Sequence, residues 1–161
     1  MPTFSVGAID GSVSLVLCDM ASSELPIVYC TETFQKLVGY PESEILGRNC
    51  RFLQYPPPGF TARARSATDT DVGLTEVEDD NASQGIESQV MIRNNTARIR
   101  ITECIANSAE GRANFINYRY NGERFWNLLT VIPIENGGRN YYVGLQADLG
   151  PVEVLNETIV G

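Results

Sequence analysis

The sequence predicts an α+β domain in which one five-stranded antiparallel sheet carries helices over one face. Two β-branched apolar runs open the chain, helical spacing fills its middle, and three strand-like runs close it. The 161 residues, 43% of them hydrophobic, are enough for a single domain with a buried core. The sequence shows no internal repeat, so we expect one domain.

The first elements are predicted to be a hairpin followed by short helices. The hairpin strands are residues 12–20 and 25–30, which are rich in β-branched residues and are joined by a polar connection. The predicted helices cover residues 31–39, 41–47 and 49–54. Thr31 and Asn49 are the expected N-caps of the first and third helices, and Gly39 ends the first.

An acidic insertion is predicted after the third helix. Residues 68–89 contain seven acidic residues and neither Lys, Arg nor an aromatic residue. Such a composition buries little apolar surface and orders poorly by itself. We therefore predict an inserted loop over about 55–95, helical only near its end, followed by a helix over 96–108.

The last third of the chain is predicted to be a strand meander. Its strands are residues 112–120, 124–134 and 141–149, and Asn-Gly and Gly-Gly turns separate them. The resulting domain covers residues 12–149. We expect an N-terminal cap segment over 1–11 and a C-terminal extension over 150–161.

The charge of the chain and the residues that it lacks argue against several functions. The formal net charge of -8 disfavours direct nucleic-acid binding, because phosphate recognition needs clustered Lys and Arg. The absence of histidine removes histidine metal sites and Cys–His or Ser–His nucleophile pairs. The sequence shows no signal peptide, no membrane span and no CxxC spacing. We therefore expect an intracellular protein, cytoplasmic or nuclear, with reduced thiols.

Three carboxamides on the predicted meander indicate a shared ligand. Asn127 and Gln146 lie on neighbouring strands, and Asn117 lies on the strand before them. A buried carboxamide without partners costs about 1–3 kcal/mol. These groups therefore either satisfy one another or bind a heterocycle with alternating N–H and C=O groups, such as the pyrimidine ring of a flavin. Gly144 would let a bulky group approach the backbone beside them.

Cys50 lies among polar side chains in the octapeptide GRNCRFLQ, residues 47–54. A free cysteine is most often an inert buried hydrophobe. The N-terminus of the predicted helix favours a thiolate, however, which would make Cys50 more reactive than average. On the residues alone, both interpretations stay open.

The octapeptide GRNCRFLQ resembles the signature of LOV domains, the flavin-binding blue-light sensors of the PAS superfamily. The segments PIVYCTETFQKLVGYPESEILGRNCRFLQ, FINYRYNGERFWNLL and VGLQAD follow in the family's order and extend the similarity over about residues 12–149. VLCDM, PIVYC and an enlarged loop after the cysteine helix are similar to short fungal photoreceptors of the Vivid and Envoy type. The resemblance implies a PAS/LOV fold that encloses a flavin.

The resemblance also implies a role for each matched residue. Cys50 would be the photoactive thiol, which adds reversibly to flavin carbon C4a under blue light. Gln146 would respond to protonation of ring atom N5 by rotating its amide. The other matched positions would bind the cofactor: Asn49, Arg51 and Gln54 at the ribityl chain and phosphate, Asn117 and Asn127 at the pyrimidine edge.

One position departs from the family pattern. The family has a second phosphate-binding arginine where an ungapped count back from Asn117 places Thr102. Arg98, one turn earlier on the same helix face, is the expected substitute. Arg63 and Arg65 in the insertion could reach an adenine. Both FMN and FAD therefore remain open, and the fungal relatives favour FAD.

The family geometry constrains the turn between the strands of Asn117 and Asn127. A two-residue turn at Asn121-Gly122 would put these two side chains on opposite faces of the sheet. We therefore predict a three-residue loop, 120–122, with Gly122 left-handed in a G1 bulge.

An apolar patch is predicted on the sheet face turned away from the flavin. Its members are Ile116, Tyr118, Trp126, Leu128, Val143 and Leu145. Its expected cover is one of the chain ends, through Phe4, Val6 and Ile9 or through Val152, Val154, Leu155 and Ile159. Family behaviour implies that light shifts this cover and enhances self-association. Related LOV-containing transcription regulators are the other expected partners, and we expect no membrane and no direct nucleic-acid binding.

The leading hypothesis is a blue-light photoreceptor that tunes light-responsive transcription or photoadaptation. It would not be an enzyme, because the thiol–flavin bond forms and reverts without a substrate. The alternatives are a flavin-based redox sensor or flavoenzyme, using Cys30 or another thiol, and a PAS interaction domain without a cofactor. Cys18 and Cys104 are predicted to be structural. An alternative for Cys30 is partial exposure at the end of its strand, which would open it to redox or disulfide chemistry.

Overall fold

The computed structural model describes residues 12–59 and 79–153, with side chains from residue 85 onward in the second range. The predicted cap segment 1–11, the insertion residues 60–78 with Arg63 and Arg65, and residues 154–161 lie outside the described residues. The predictions that fall on them therefore stay predictions.

Five strands form one antiparallel sheet, which confirms the predicted fold class. They are β1 (Ser14–Asp19), β2 (Ile27–Cys30), β3 (Gly111–Tyr118), β4 (Arg124–Asn136) and β5 (Arg139–Pro151). The order across the sheet is β2-β1-β5-β4-β3, so β2 and β3 are its edges. Pairing of β1 with β5 joins the N-terminal hairpin to the C-terminal meander.

Helix α1 (Glu32–Val38) begins and ends where the sequence predicts, and α2 (Glu42–Ile45) follows it. Oγ1 of Thr31 accepts a hydrogen bond from the backbone N–H of Phe34 at 3.2 Å, which satisfies one free donor of the first turn. Gly39 ends α1 in the left-handed conformation, with φ 78°.

The Cys50 segment is a 3₁₀ helix that spans Cys50–Gln54. Asn49 is its N-cap, as predicted, because its Oδ1 accepts a hydrogen bond from the backbone N–H of Arg51 at 2.9 Å. Asn49 therefore has a local structural role before any ligand is considered.

The third α-helix, α3 (Asp79–Ala106), is much longer than the sequence predicts. Residues 79–95 are helical, which corrects the predicted loop in that part of the insertion. The acidic composition hid a helical spacing of four and seven residues, which runs from Ile86 through Val90 to Ala97 and Ile101. Among the described helices, none is long and apolar enough to cross a bilayer.

The loop between β3 and β4 has the predicted three-residue geometry. The N–H of Gly122 donates to the carbonyl of Arg119 at 2.9 Å, and the N–H of Arg119 donates to the carbonyl of Glu123 at 2.9 Å. Gly122 has φ 83°, the left-handed conformation of a G1 bulge. This register places Asn117 and Asn127 on the same face of the sheet.

Helix α3 contacts both faces of the sheet as it passes the edge strand β3. Ala97 and Ile101 belong to the main core between the sheet and the helices. On the opposite face, Val90 is fully buried against Ile116 and Tyr118. Ile86, Trp126 and Val152 pack around this outer cluster. The outer face at β3 and β4 is therefore covered by α3 together with Val152, whereas the sequence predicted the chain ends alone.

Candidate functional site

A cavity of about 410 Å³ lies between the inner face of the sheet and the helices. That volume falls within the usual range of small-molecule sites. Its wall includes seven of the eight predicted site residues: Asn49, Cys50, Arg51, Gln54, Arg98, Asn117 and Gln146. The eighth, Asn127, hydrogen-bonds to two of these residues.

The Cys50 thiol lies on the cavity wall as the first residue of the 3₁₀ helix. A hydrogen bond with the Cys18 thiol, and then burial, raise the pKa of Cys50 well above its ordinary value. The thiolate expected from the helix N-terminus is therefore not favoured here. At neutral pH, Cys50 presents a protonated sulfur to the cavity.

Cys18 is a site residue that sequence analysis assigned to the structural core. It lies on β1, is 9% exposed, and lines the same cavity as Cys50. The alternation of faces along β1 could have predicted this position, because Val16 and Cys18 are two residues apart and both face the cavity. The adjacency of Cys18 to Cys50, 32 positions apart in the sequence, depends on how the 3₁₀ helix packs on β1.

Asn49 connects the 3₁₀ helix to the loop after β1. Its Nδ2 donates to the carbonyl of Glu24 at 2.7 Å, while its Oδ1 caps the helix. Ser23 and Leu25 of that loop also line the cavity. Asn49 therefore holds together two segments of the cavity wall.

Among the residues that the structure describes, two guanidinium groups line the cavity. Arg51 lies on the 3₁₀ helix and Arg98 lies on α3. Thr102, at the position that the ungapped count selects, lines the cavity one turn after Arg98. Guanidinium groups bind phosphate oxygens through paired hydrogen bonds, so these two side chains suit an anionic group.

The three predicted carboxamides meet at the sheet side of the cavity. Nδ2 of Asn127 donates to Oδ1 of Asn117 at 2.8 Å and to Oε1 of Gln146. Nδ2 of Asn117 donates to the carbonyl of Ile116 at 3.1 Å. Oδ1 of Asn127 is buried and has no hydrogen-bond partner among the described residues. The three carboxamides therefore satisfy part of one another's hydrogen-bonding capacity, and one buried acceptor, Oδ1 of Asn127, is left over.

Gly144 provides the close packing behind the carboxamides. A Cβ atom at this position would lie 2.9 Å from Cγ2 of Val16 and 3.5 Å from Nε2 of Gln146. Real Cβ atoms do not approach another carbon to 2.9 Å, so the Val16 side chain or the backbone that carries it would have to shift. Glycine here keeps β1 and the Gln146 amide in place.

Cys30 does not have the predicted exposure. It is 6% exposed, and burial raises the pKa of its thiol to about 11. Both properties oppose thiolate chemistry at neutral pH, so the redox role predicted for Cys30 is corrected. Cys104 is partly buried on α3 and packs against the main core.

The PAS domain family matches residues 12–150 of the chain. Among solved structures, the photo-excited blue-light photoreceptor Vivid is 33% identical, with a TM-score of 0.56 over 91% of this chain and 85% of that one. A fungal LOV domain photoreceptor is also 33% identical, with a TM-score of 0.57 over 91% and 82% of the two chains. The chain belongs to the LOV group of the PAS family. Within that group, this LOV domain is of the fungal Vivid type.

Two curated fungal relatives are much longer than this LOV domain. The blue light receptor lreA of Aspergillus flavus is 38% identical over 150 residues, which are 92% of this chain and 15% of the relative. The White collar 1 protein of Neurospora crassa is 35% identical over 150 residues, which are 92% of this chain and 11% of the relative. The LOV domain corresponds to a small part of each.

Proposed function

We propose that this LOV domain is a blue-light photoreceptor that binds a flavin in its cavity and forms a reversible bond between Cys50 and flavin carbon C4a. The observation that carries the proposal is the convergence on one cavity of a thiol, two guanidinium groups and a set of carboxamides. These groups come from five separate elements of the chain, namely the 3₁₀ helix, α3, β3, β4 and β5. Relatives that are named blue-light receptors add support.

The buried carboxamides fit a flavin. Nδ2 of Asn127 donates two hydrogen bonds, to Asn117 and to Gln146. Its buried Oδ1 has no partner among the described residues. The pyrimidine edge of a flavin presents N–H and C=O groups in alternation, so it can donate to that oxygen and accept from neighbouring amides. Asn117 and Asn127 would hold this edge. Arg51, Gln54 and Arg98 would hold the phosphate and ribityl end, and Asn49 would contact the cofactor there as well.

Cys50 is the proposed reactive group. A bound flavin would supply a blue-light-absorbing ring and the carbon to which the sulfur adds. Because the pKa of Cys50 is raised, its sulfur keeps its proton in the dark and releases it only as the bond forms. Light then supplies the activation that a neighbouring base provides in cysteine enzymes. The bond forms and reverts without turning over a substrate, so we propose a sensor and not an enzyme.

Gln146 is the proposed reporter of bond formation. Its Oε1 accepts a hydrogen bond from Nδ2 of Asn127. A rotation of the Gln146 amide towards a newly protonated flavin N5 would withdraw that oxygen and turn Nε2 towards Asn127 instead. The chemical event at Cys50 would thereby change a hydrogen bond within the sheet.

We propose FAD as the flavin, with FMN as the alternative, because the chain is of the fungal Vivid type. Chromatography of the cofactor released by acid from the purified protein decides between the two. Recovery of FMN alone would contradict the FAD assignment and leave the photochemical proposal intact.

We further propose that light enhances self-association and that related LOV-containing transcription regulators are partners, with a cytoplasmic or nuclear location and a role in light-responsive transcription or photoadaptation. The relationship to the White collar 1 protein supports such partners. Sedimentation velocity on dark and illuminated samples tests self-association. Equal sedimentation coefficients over a wide concentration range would count against it.

Absorbance spectroscopy tests the photochemistry directly. The flavin-loaded protein is expected to show a three-peaked band near blue wavelengths that bleaches under blue light and returns in darkness. The Cys50→Ala variant should keep the band and lose the bleaching, whereas Cys104→Ala should behave like the wild type. A colourless protein that takes up no flavin would indicate a cofactor-free interaction domain, and substrate-dependent two-electron reduction would indicate a flavoenzyme.

A further inference from the structure

Asn94 is a fully buried polar residue of α3 that pairs with the edge of the sheet. Its Oδ1 accepts a hydrogen bond from the backbone N–H of Ile116 at 2.7 Å, and its Nδ2 donates to the carbonyl of Ile116 at 3.0 Å. Because β3 is an edge strand, the Asn94 carboxamide occupies the place that a neighbouring strand would take.

The carbonyl of Ile116 links Asn94 to the flavin-site carboxamides. It also accepts a hydrogen bond from Nδ2 of Asn117 at 3.1 Å. Oδ1 of Asn117 accepts from Nδ2 of Asn127, which also donates to Oε1 of Gln146. An unbroken series of hydrogen bonds therefore runs from Gln146 at the cavity to Asn94 on α3. No direct hydrogen bond joins Asn94 to Gln146 in the part of the chain that the structure describes.

The series is sensitive to the orientation of each amide. A rotation of Gln146 would place its NH₂ group against the NH₂ group of Asn127, and an unmade buried hydrogen bond is costly. In the flavin-free chain, Asn127 can respond by turning its Oδ1 towards Gln146, since that oxygen is buried without a partner among the described residues. That oxygen would then oppose Oδ1 of Asn117.

The last link of the series lies at the Ile116 carbonyl. If Asn117 turns its NH₂ group towards Asn127, its oxygen faces the carbonyl of Ile116, which repels it. The Ile116 carbonyl would then depend on Asn94 alone for a hydrogen bond. A change of amide orientation at the cavity is therefore expected to alter how α3 holds β3.

Asn94 also marks the point where α3 passes from one face of the sheet to the other. C-terminal to it, Ala97 and Ile101 pack in the main core beside the cavity. N-terminal to it, Ile86 and Val90 pack in the outer cluster. The segment 86–94 is thus the part of α3 that a change at Ile116 reaches first on the outer face.

We propose that Asn94 is a positioning residue that couples Gln146 to the outer face of the sheet through segment 86–94 of α3. The inference rests on the proposed photoreceptor function for its biological use. The coupling itself is a property of the flavin-free chain. A role in shielding the edge strand would predict a loss of stability on substitution and no coupling to Gln146.

A double-mutant cycle on the full flavin-free chain tests the coupling. Hydrogen exchange of segment 86–94 is measured for the wild type, Asn94→Ala, Gln146→Leu and the double variant. The combined effect is expected to differ from the product of the single effects by at least about threefold, because the two residues share one network. Effects that multiply within error would overturn the proposal.

Two further measurements complete the test. Asn94→Thr is uncharged and close to asparagine in size, and it replaces Asn94→Ala in the cycle if that variant does not fold. Asn107→Ala is the matched control, since Asn107 is an exposed asparagine that only caps the end of α3, with Nδ2 2.8 Å from the carbonyl of Glu103. It should leave exchange of segment 86–94 unchanged.

In the flavin-loaded protein, light is expected to change exchange in β5 and in segment 86–94 of the wild type. In Asn94→Ala only the change in β5 should remain. Persistence of both changes in Asn94→Ala would overturn the proposal. A different result is coupling between Asn94 and Gln146 in the flavin-free chain together with no bleaching of the flavin-loaded wild type. That result would overturn the photoreceptor function and support the coupling.

Discussion

Asn127 donates a hydrogen bond of 2.8 Å to Asn117, and the same NH₂ group also donates to Gln146. The three-residue loop closed by Gly122 makes this contact possible, because it puts both asparagines on one face of the sheet. One small turn therefore decides whether β3 and β4 present a joint binding edge.

Replacement of Asn127 by alanine should weaken both the fold and flavin binding. The change leaves Oδ1 of Asn117 and Oε1 of Gln146 without their shared donor, at a cost of about 1–3 kcal/mol. Flavin affinity should fall by about tenfold or more, as measured by fluorescence quenching on titration. Asn136→Ala, at the exposed end of the same strand, is the control. Unchanged affinity in Asn127→Ala would contradict the assignment of this edge.

Replacement of Cys18 by alanine should lower the pKa of Cys50. The hydrogen bond with Cys18 is the main cause that raises this pKa, and burial is the second, so the pKa should move towards 9.0 without reaching it. Alkylation of Cys50 by iodoacetamide in the flavin-free protein should become faster at a given pH, since the thiolate is the reacting form. The pH dependence of the rate gives the pKa. Cys104→Ala should not shift it, and an unshifted profile in Cys18→Ala would exclude the thiol pair.

Cys30 should contribute to a loss of stability at alkaline pH. Its pKa is raised from 9.0 to about 11 in the folded protein, because burial disfavours the thiolate. The stability that depends on the neutral Cys30 thiol is fully present below pH 9.0. It is lost as the pH rises towards about 11, because in that window the unfolded chain releases the proton more readily than the folded chain. Urea unfolding of Cys30→Ala across this window should show a flatter pH dependence than the wild type. An equally steep decline would show that other groups dominate.

Replacement of Gly144 by alanine should destabilise the protein by about 1–3 kcal/mol through overpacking. The new methyl group would lie 2.9 Å from Cγ2 of Val16, which is fully buried on β1. Thermal unfolding measures the effect. Gly85→Ala is the matched control, because its Cβ meets no atom within 4 Å. That change should be neutral or stabilising by up to about 1 kcal/mol, since alanine favours a helix. Equal melting temperatures for the two variants would argue against close packing at Gly144.

Local chemistry and one motif predicted the strand order along the chain, the caps of α1 and the 3₁₀ helix, and most of the residues that meet at the cavity. These features depend on local chemistry or on a motif: Thr31 and Asn49 satisfy free N–H groups, and Gly122 takes a left-handed turn. The motif GRNCRFLQ linked this local chemistry to a family whose distant residues could be matched.

Tertiary structure decided what lies beside each of these residues. Helix α3 extends through residues 86–94 because Val90 and Asn94 gain partners on β3, which an acidic composition does not reveal. Cys18 becomes part of the site, and Cys30 becomes buried, only when β1 and β2 pack against the helices. Burial and hydrogen bonding between residues far apart in sequence set both thiol environments, so spacing along the chain could not predict them.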